Sequence, residues 1–107
     1  MDGKSSETEA VIETVKEQAS MRLPAIMDIT AAGPLANAIL LHRGKDLTVD
    51  ASEVERMGAQ CLQVLLSAVA TWSQDGTYFD LSSPSQPFTE ALETAGLGLD
   101  NLSARNS

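Results

Sequence analysis

Apolar residues along this chain fall in short groups whose spacing alternates between two periods. Residues 23–29 (LPAIMDI) form a brief apolar run, which predicts a first strand with Pro24 at its start or on a sheet edge. From residue 30 to 43 the spacing becomes helical. Leu35, Ala38, Ile39 and His42 share one face, and Pro34 suits the first turn. His42 and Arg43 bring cations to the end of that helix, and Gly44 is a natural residue just past it. DLTVD, residues 46–50, predicts the second strand, and residues 51–58 a loop. The longest helix is expected from Gly58 or Ala59 to Asp75. Leu62, Leu65, Leu66 and Val69 form its stripe, Val64 and Ala68 widen it, and Gly76 ends it. Residues 77–81 (TYFDL) predict the third strand. Ser83 or Ser85 then caps a last helix with Phe88, Ala91, Leu92 and Ala95 inward and Gly96 at its end.

This order, β-α-β-α-β-α, predicts an α/β fold with parallel strands, right-handed crossovers and helices packed on the sheet. The domain is expected over residues 21–99, with residues 100–107 disordered. Residues 1–20 are polar and mostly acidic. Val11, Ile12, Val15 and Ala19 still fall on one helical stripe, and Ser6 with Glu9 could make a capping box. A partly ordered, amphipathic acidic helical extension is expected, thinly apolar enough to be marginal alone.

Composition narrows the function classes. A chain of 107 residues with 43% apolar content can build one core. Aromatic residues are 4%, too few for base-stacking platforms. The net charge of −8 disfavours nucleic acid and anionic membrane surfaces. It suits a basic patch on a protein partner, or simply solubility. Cys61 is the single cysteine and His42 the single histidine, which rules out an internal disulfide and a His- or Cys-rich metal site. The first residues lack an apolar signal core. Residues 57–72 are broken by Gln60, Gln63, Ser67 and Thr71, so they read as a buried helix and not as a membrane insertion. A cytoplasmic location fits.

The stretch DLTVDASEVERMGAQCLQVLLSAVATWSQDG resembles the signature of STAS domains, the anti-sigma-factor-antagonist family. Val49, Asp50, Ser52, Val54 and Met57 match the strand and loop, and Leu62, Val64, Leu65 and Leu66 match the helix. TYFDLSSPSQPFTEALETAGL resembles the family's next strand and terminal helix, so the likeness covers about residues 23–97. One departure is informative. Phosphorylatable members carry Asp-Ser-Ser-Gly at the turn that here reads Gly58-Ala59-Gln60-Cys61. Ala59 stands at the phosphoacceptor serine and has no hydroxyl to receive a phosphoryl group. The resemblance implies that this turn and the first half of its helix still dock a partner. LPAIMDITAAGPLANAILLHRGKDLTVDAS looks most like the compact STAS proteins of alphaproteobacterial chemotaxis gene clusters, the CheS type. The STAS subunits of lipid-transport ABC systems are close behind. The first likeness implies binding to the chemotaxis histidine kinase (CheA) and help in draining phosphate from a response regulator.

The remaining candidate chemistry is sparse. Asp50 ends a strand, where α/β folds place functional groups, but an Asp there also fixes the following loop. Ser52 has no obvious base beside it, and no Gly-rich phosphate loop is present. No catalytic residue and no cofactor are therefore expected. Cys61, in the first turn of the long helix, is either an activated thiol or a small buried apolar residue. His42 is a pH-sensitive group or a helix-dipole partner. Trp72 belongs to the core or its rim, or serves as an exposed anchor. The expected partner-binding set is Glu53, Glu55 and Arg56 as a polar rim, then Met57, Gly58, Ala59, Gln60, Cys61 and Gln63.

Overall fold

Three strands run parallel in the order β1 (Gln18–Arg22), β3 (Asp46–Asp50), β5 (Phe79–Ser82). The computed structural model describes residues 18–104. The N-terminal helix expected from Ser6, Glu9, Val11, Ile12 and Val15 lies outside the described residues, as do residues 105–107. The register aligns Ala19, Leu47 and Phe79, then Met21, Val49 and Leu81, on one face of the sheet. Ser20, Thr48 and Asp80 align on the other. Side chains alternate across a strand, so one face is apolar and the other polar.

The apolar face shares one core with helices α1 (Ala32–Leu40), α2 (Ala59–Asp75) and α3 (Gln86–Thr94). Leu35 and Ile39 come from α1. Cys61, Leu62, Leu65, Ala68 and Trp72 come from α2, and Phe88 and Leu92 from α3. The α/β class and the parallel βαβ units follow the sequence. Trp72 is fully buried. Its Nε1 donates to the Lys45 carbonyl at 2.7 Å, and its ring meets Phe79 edge-on at 5.8 Å. Of the readings offered for it, core is the one observed. Gly76 closes α2 at φ 73, a left-handed conformation that costs a side chain but not glycine.

Several element boundaries differ from expectation. Residues 23–29 are not one strand. Leu23 donates its N–H to the Asp50 carbonyl at 2.9 Å, and Pro24, without an N–H, follows immediately. Beyond it, β2 (Ile26–Met27) pairs in parallel with β4 (Arg56–Met57) in a separate two-stranded sheet, so the expected loop 51–58 contains a strand. The first strand of the main sheet lies earlier, at Gln18–Arg22, and takes in the last three residues of the stretch read as helical extension. Its inward residues are only Ala19 and Met21, which carry little β signal. The helix expected over residues 30–43 divides into a 3-10 turn (Ile29–Ala31) and α1, which ends at Leu40. Arg43 turns away to pair with Asp75 at 2.8 Å instead of lying along the helix. Ala95 is exposed, so α3 buries a narrower stripe than expected.

Residues 100–104 are ordered, contrary to the expected tail. A 3-10 turn (Leu99–Leu102) buries Leu102 completely. Ala104 then exchanges two backbone hydrogen bonds with Phe79, at 2.8 and 3.0 Å, adding an antiparallel contact to the sheet. The turn packs against α2 and β5, which places Leu102 in the core.

Candidate protein-docking site

The site begins where β3 ends. One Asp50 carboxylate oxygen accepts the Ser52 N–H at 2.8 Å, and Arg22 stands 3.7 Å from the other. The Ser52 hydrogen bonds hold this carboxyl below the usual Asp range against the opposing effect of burial, with a lesser contribution from Arg22. Arg22 also reaches Glu53 at 3.4 Å. Asp50 thus fixes the loop, the structural role its position suggested. The loop is tied from the other side as well. Ser85 Oγ donates to the Val54 carbonyl at 2.6 Å, and the Ser85 N–H to Ala51 at 3.1 Å.

A loop so held delivers β4 and then Gly58, whose N–H donates to the Met27 carbonyl at 2.8 Å. Gly58 is the extended N-cap of α2 and has no side chain to cap it. The first N–H groups of α2 therefore lack a side-chain cap at this end of the longest helix. Ala59, Gln60 and Gln63 are exposed around this end, and Met57 and Gly58 half-buried. Glu53, Glu55 and Arg56 are exposed on the approach. Eight of the nine expected residues therefore present surface together.

Cys61 does not. It is fully buried, and its Sγ donates to the Asp28 carbonyl at 3.3 Å. Burial, then the Asp28 charge, pushes its thiol pKa up. This excludes Cys61 from a surface contact and makes it the small buried residue of the two readings offered. The reason is helical phase: Cys61, Leu65, Ala68 and Trp72 follow i, i+4, i+7, i+11 and begin the buried stripe one residue before Leu62. Asp28 itself is held below the usual range, chiefly by the Thr30 hydroxyl at 2.6 Å.

Sequence reasoning missed what lies beside the turn. A groove of about 510 Å³ runs between α1 and α2, lined by Ala32, Ala36, Ile39, Leu40, Gln60, Gln63, Val64, Ser67, Ala68 and Thr71. Ile29 and Leu41, exposed by 67% and 80%, project from the same chain segment as α1. The signal for it is a lack of charge: α1 has no charged side chain and α2 has only Asp75.

Fold and site together define a small α/β domain whose helix N-terminus and neighbouring groove face solvent. Among the described residues no group of three or more His, Cys, Asp or Glu could hold a metal ion, and no helix is long and apolar enough to cross a membrane. The family model described as "Mlab, STAS domain" matches residues 11–102. The chain belongs to the STAS family, whose members are in general non-catalytic protein-interaction and signalling modules. The match begins inside the stretch read as an extension and ends in the 3-10 turn that buries Leu102. No curated protein and no solved structure matches the chain.

Proposed function

We propose that this chain is a non-enzymatic interaction module of cytoplasmic bacterial signalling. It binds the chemotaxis histidine kinase (CheA) and promotes loss of phosphate from a response regulator. The observation that carries the reading is Ala59. It is exposed as the first residue of α2, at the place of the phosphoacceptor serine, on a turn held from both sides by Asp50 and Ser85. A preorganised surface binds without the cost of ordering a loop. Having no hydroxyl at residue 59, the module docks constitutively instead of being released by phosphorylation.

The test is a pull-down of the full chain from its native cell, with Ala59→Arg and Gln60→Arg beside the wild type. Both side chains point to solvent, so circular dichroism should not change. Loss of partner binding by at least about thirtyfold is expected, the scale of a central interface residue. Recovery of a histidine kinase that both variants lose supports the reading. Recovery of an ABC ATPase assigns the chain instead to a lipid-transport complex. Wild-type affinity in both variants removes the turn from the interface.

A further inference from the structure

The loops that follow β3 and β5 lie side by side. Asp50 and Ser82 are register partners at the carboxyl ends of these two strands. One residue on, the Ala51 N–H donates to the Ser82 carbonyl at 2.9 Å, and the Ala51 carbonyl accepts the Ser85 N–H at 3.1 Å. Ser85 Oγ then reaches the Val54 carbonyl at 2.6 Å. Residues 82–85 therefore grip the loop that carries Glu53 toward the turn. Open parallel α/β sheets bind their ligands beyond the carboxyl ends of the strands, where both loops lie.

Ser83 sits inside that grip. Its φ is 51, and among the described residues no other residue except glycine has a positive φ. A left-handed backbone crowds Cβ against the following carbonyl oxygen, which is why glycine suits it. Glycine holds the other such positions, Gly44, Gly76 and Gly96. Pro84 adds a second conflict, because the residue before a proline prefers an extended backbone. Strain of this kind persists where the surroundings over-determine the backbone, here through the bonds to Ala51 and Val54, and it gathers at binding sites. The side chain that causes it has no local use. Ser82 Oγ donates to the Val49 carbonyl at 3.5 Å, and Ser85 Oγ caps α3. Ser83 is exposed, and no described residue hydrogen-bonds its hydroxyl.

We propose that Ser83 is a specificity-determining contact of the docking surface, its hydroxyl hydrogen-bonded to a polar group of the partner protein that meets the turn at Ala59. The proposal rests on the interaction-module reading and deepens it. The partner covers loop 51–54 as well as the turn, and reaches the loop after β5. The grip on residues 82–85 fixes the hydroxyl before the partner arrives, so no ordering of the loop opposes the contact. A hydroxyl both donates and accepts, so it matches a backbone group or a polar side chain at this point. A partner that brings an apolar side chain there leaves the hydroxyl covered and unbonded, and is disfavoured.

The experiment titrates the full chain against the purified chemotaxis histidine kinase, with Ser83→Gly and Ser83→Ala beside the wild type. Both variants lack the hydroxyl, but glycine fits the left-handed backbone and alanine does not. Each should bind about three- to tenfold more weakly, the scale of one hydrogen bond between neutral groups. Thermal melting of the free chain, followed by circular dichroism, should show Ser83→Gly no less stable than the wild type. Lower stability in Ser83→Gly overturns the proposal, because the hydroxyl then serves the fold. Wild-type affinity in both variants also overturns it. So does a loss confined to one of them, since the partner then reads the backbone and not the hydroxyl. If Ala59→Arg abolishes binding while both Ser83 variants bind normally, the turn stands and Ser83 is excluded. If the wild-type chain does not bind the kinase, the reading beneath the proposal falls and the proposal falls with it.

Discussion

Asp50 shows how one side chain sets a surface without belonging to its chemistry. Its carboxylate is half-buried and held below the usual range chiefly by the Ser52 hydrogen bonds and less by Arg22. A depressed carboxyl means that the unfolded chain binds the proton more readily. Its stabilising effect is present above the ordinary Asp value and disappears as pH falls through the folded value. Asp50→Asn should therefore lower the melting temperature at neutral pH, and the gap to the wild type should close on acidification below about pH 4. Melting curves by circular dichroism from pH 7 to pH 2 would check it, and a gap that widens in acid contradicts the account. Asp50 as a loop-fixing residue was legible from sequence, since an Asp at a strand end reaches the N–H two residues on. The burial of Cys61 was not, because a stripe beginning at Leu62 and one beginning at Cys61 are both helical. Only the packing of Asp28 beside it chooses between them.

Among the elements, α2 was readable almost to the residue. Gly58 and Gly76 bracket it, and seventeen residues give enough turns for the period to be unambiguous. The short elements were not. A two-residue strand such as Ile26–Met27 has no period at all, and it exists only because Arg56–Met57 supplies its partner. For α3, Ser85 was one of two caps offered. It accepts the Phe88 N–H at 3.2 Å and donates to Val54 at 2.6 Å. Ser85→Ala removes the cap and leaves the Val54 carbonyl without that donor, which should cost about 1–2 kcal/mol. Urea denaturation would measure this. Because the same residue ties down the loop before the turn proposed to dock the partner, partner binding should weaken along with stability.

At the scale of the molecule, Trp72 joins parts far apart in the chain: the segment leading into β3 through Lys45, β5 through Phe79, and α2 itself. Trp72→Ala should cost about 3–5 kcal/mol. The loss should appear as one cooperative shift of the denaturation midpoint, followed by far-ultraviolet circular dichroism. Two separate transitions would show that the sheet and helices do not share one core.

The sequence by itself determined the α/β class, the central strand Asp46–Asp50 and both ends of α2. Each is local: a period or a glycine. Tertiary structure alone decided the first strand at Gln18–Arg22, the β2–β4 pair, the buried Leu102, the inward turn of Cys61 and the groove between α1 and α2. Each depends on which distant segment supplies the other half of a hydrogen bond or an apolar contact. A groove in particular has no sequence of its own, because it is the space that two packed helices leave between them.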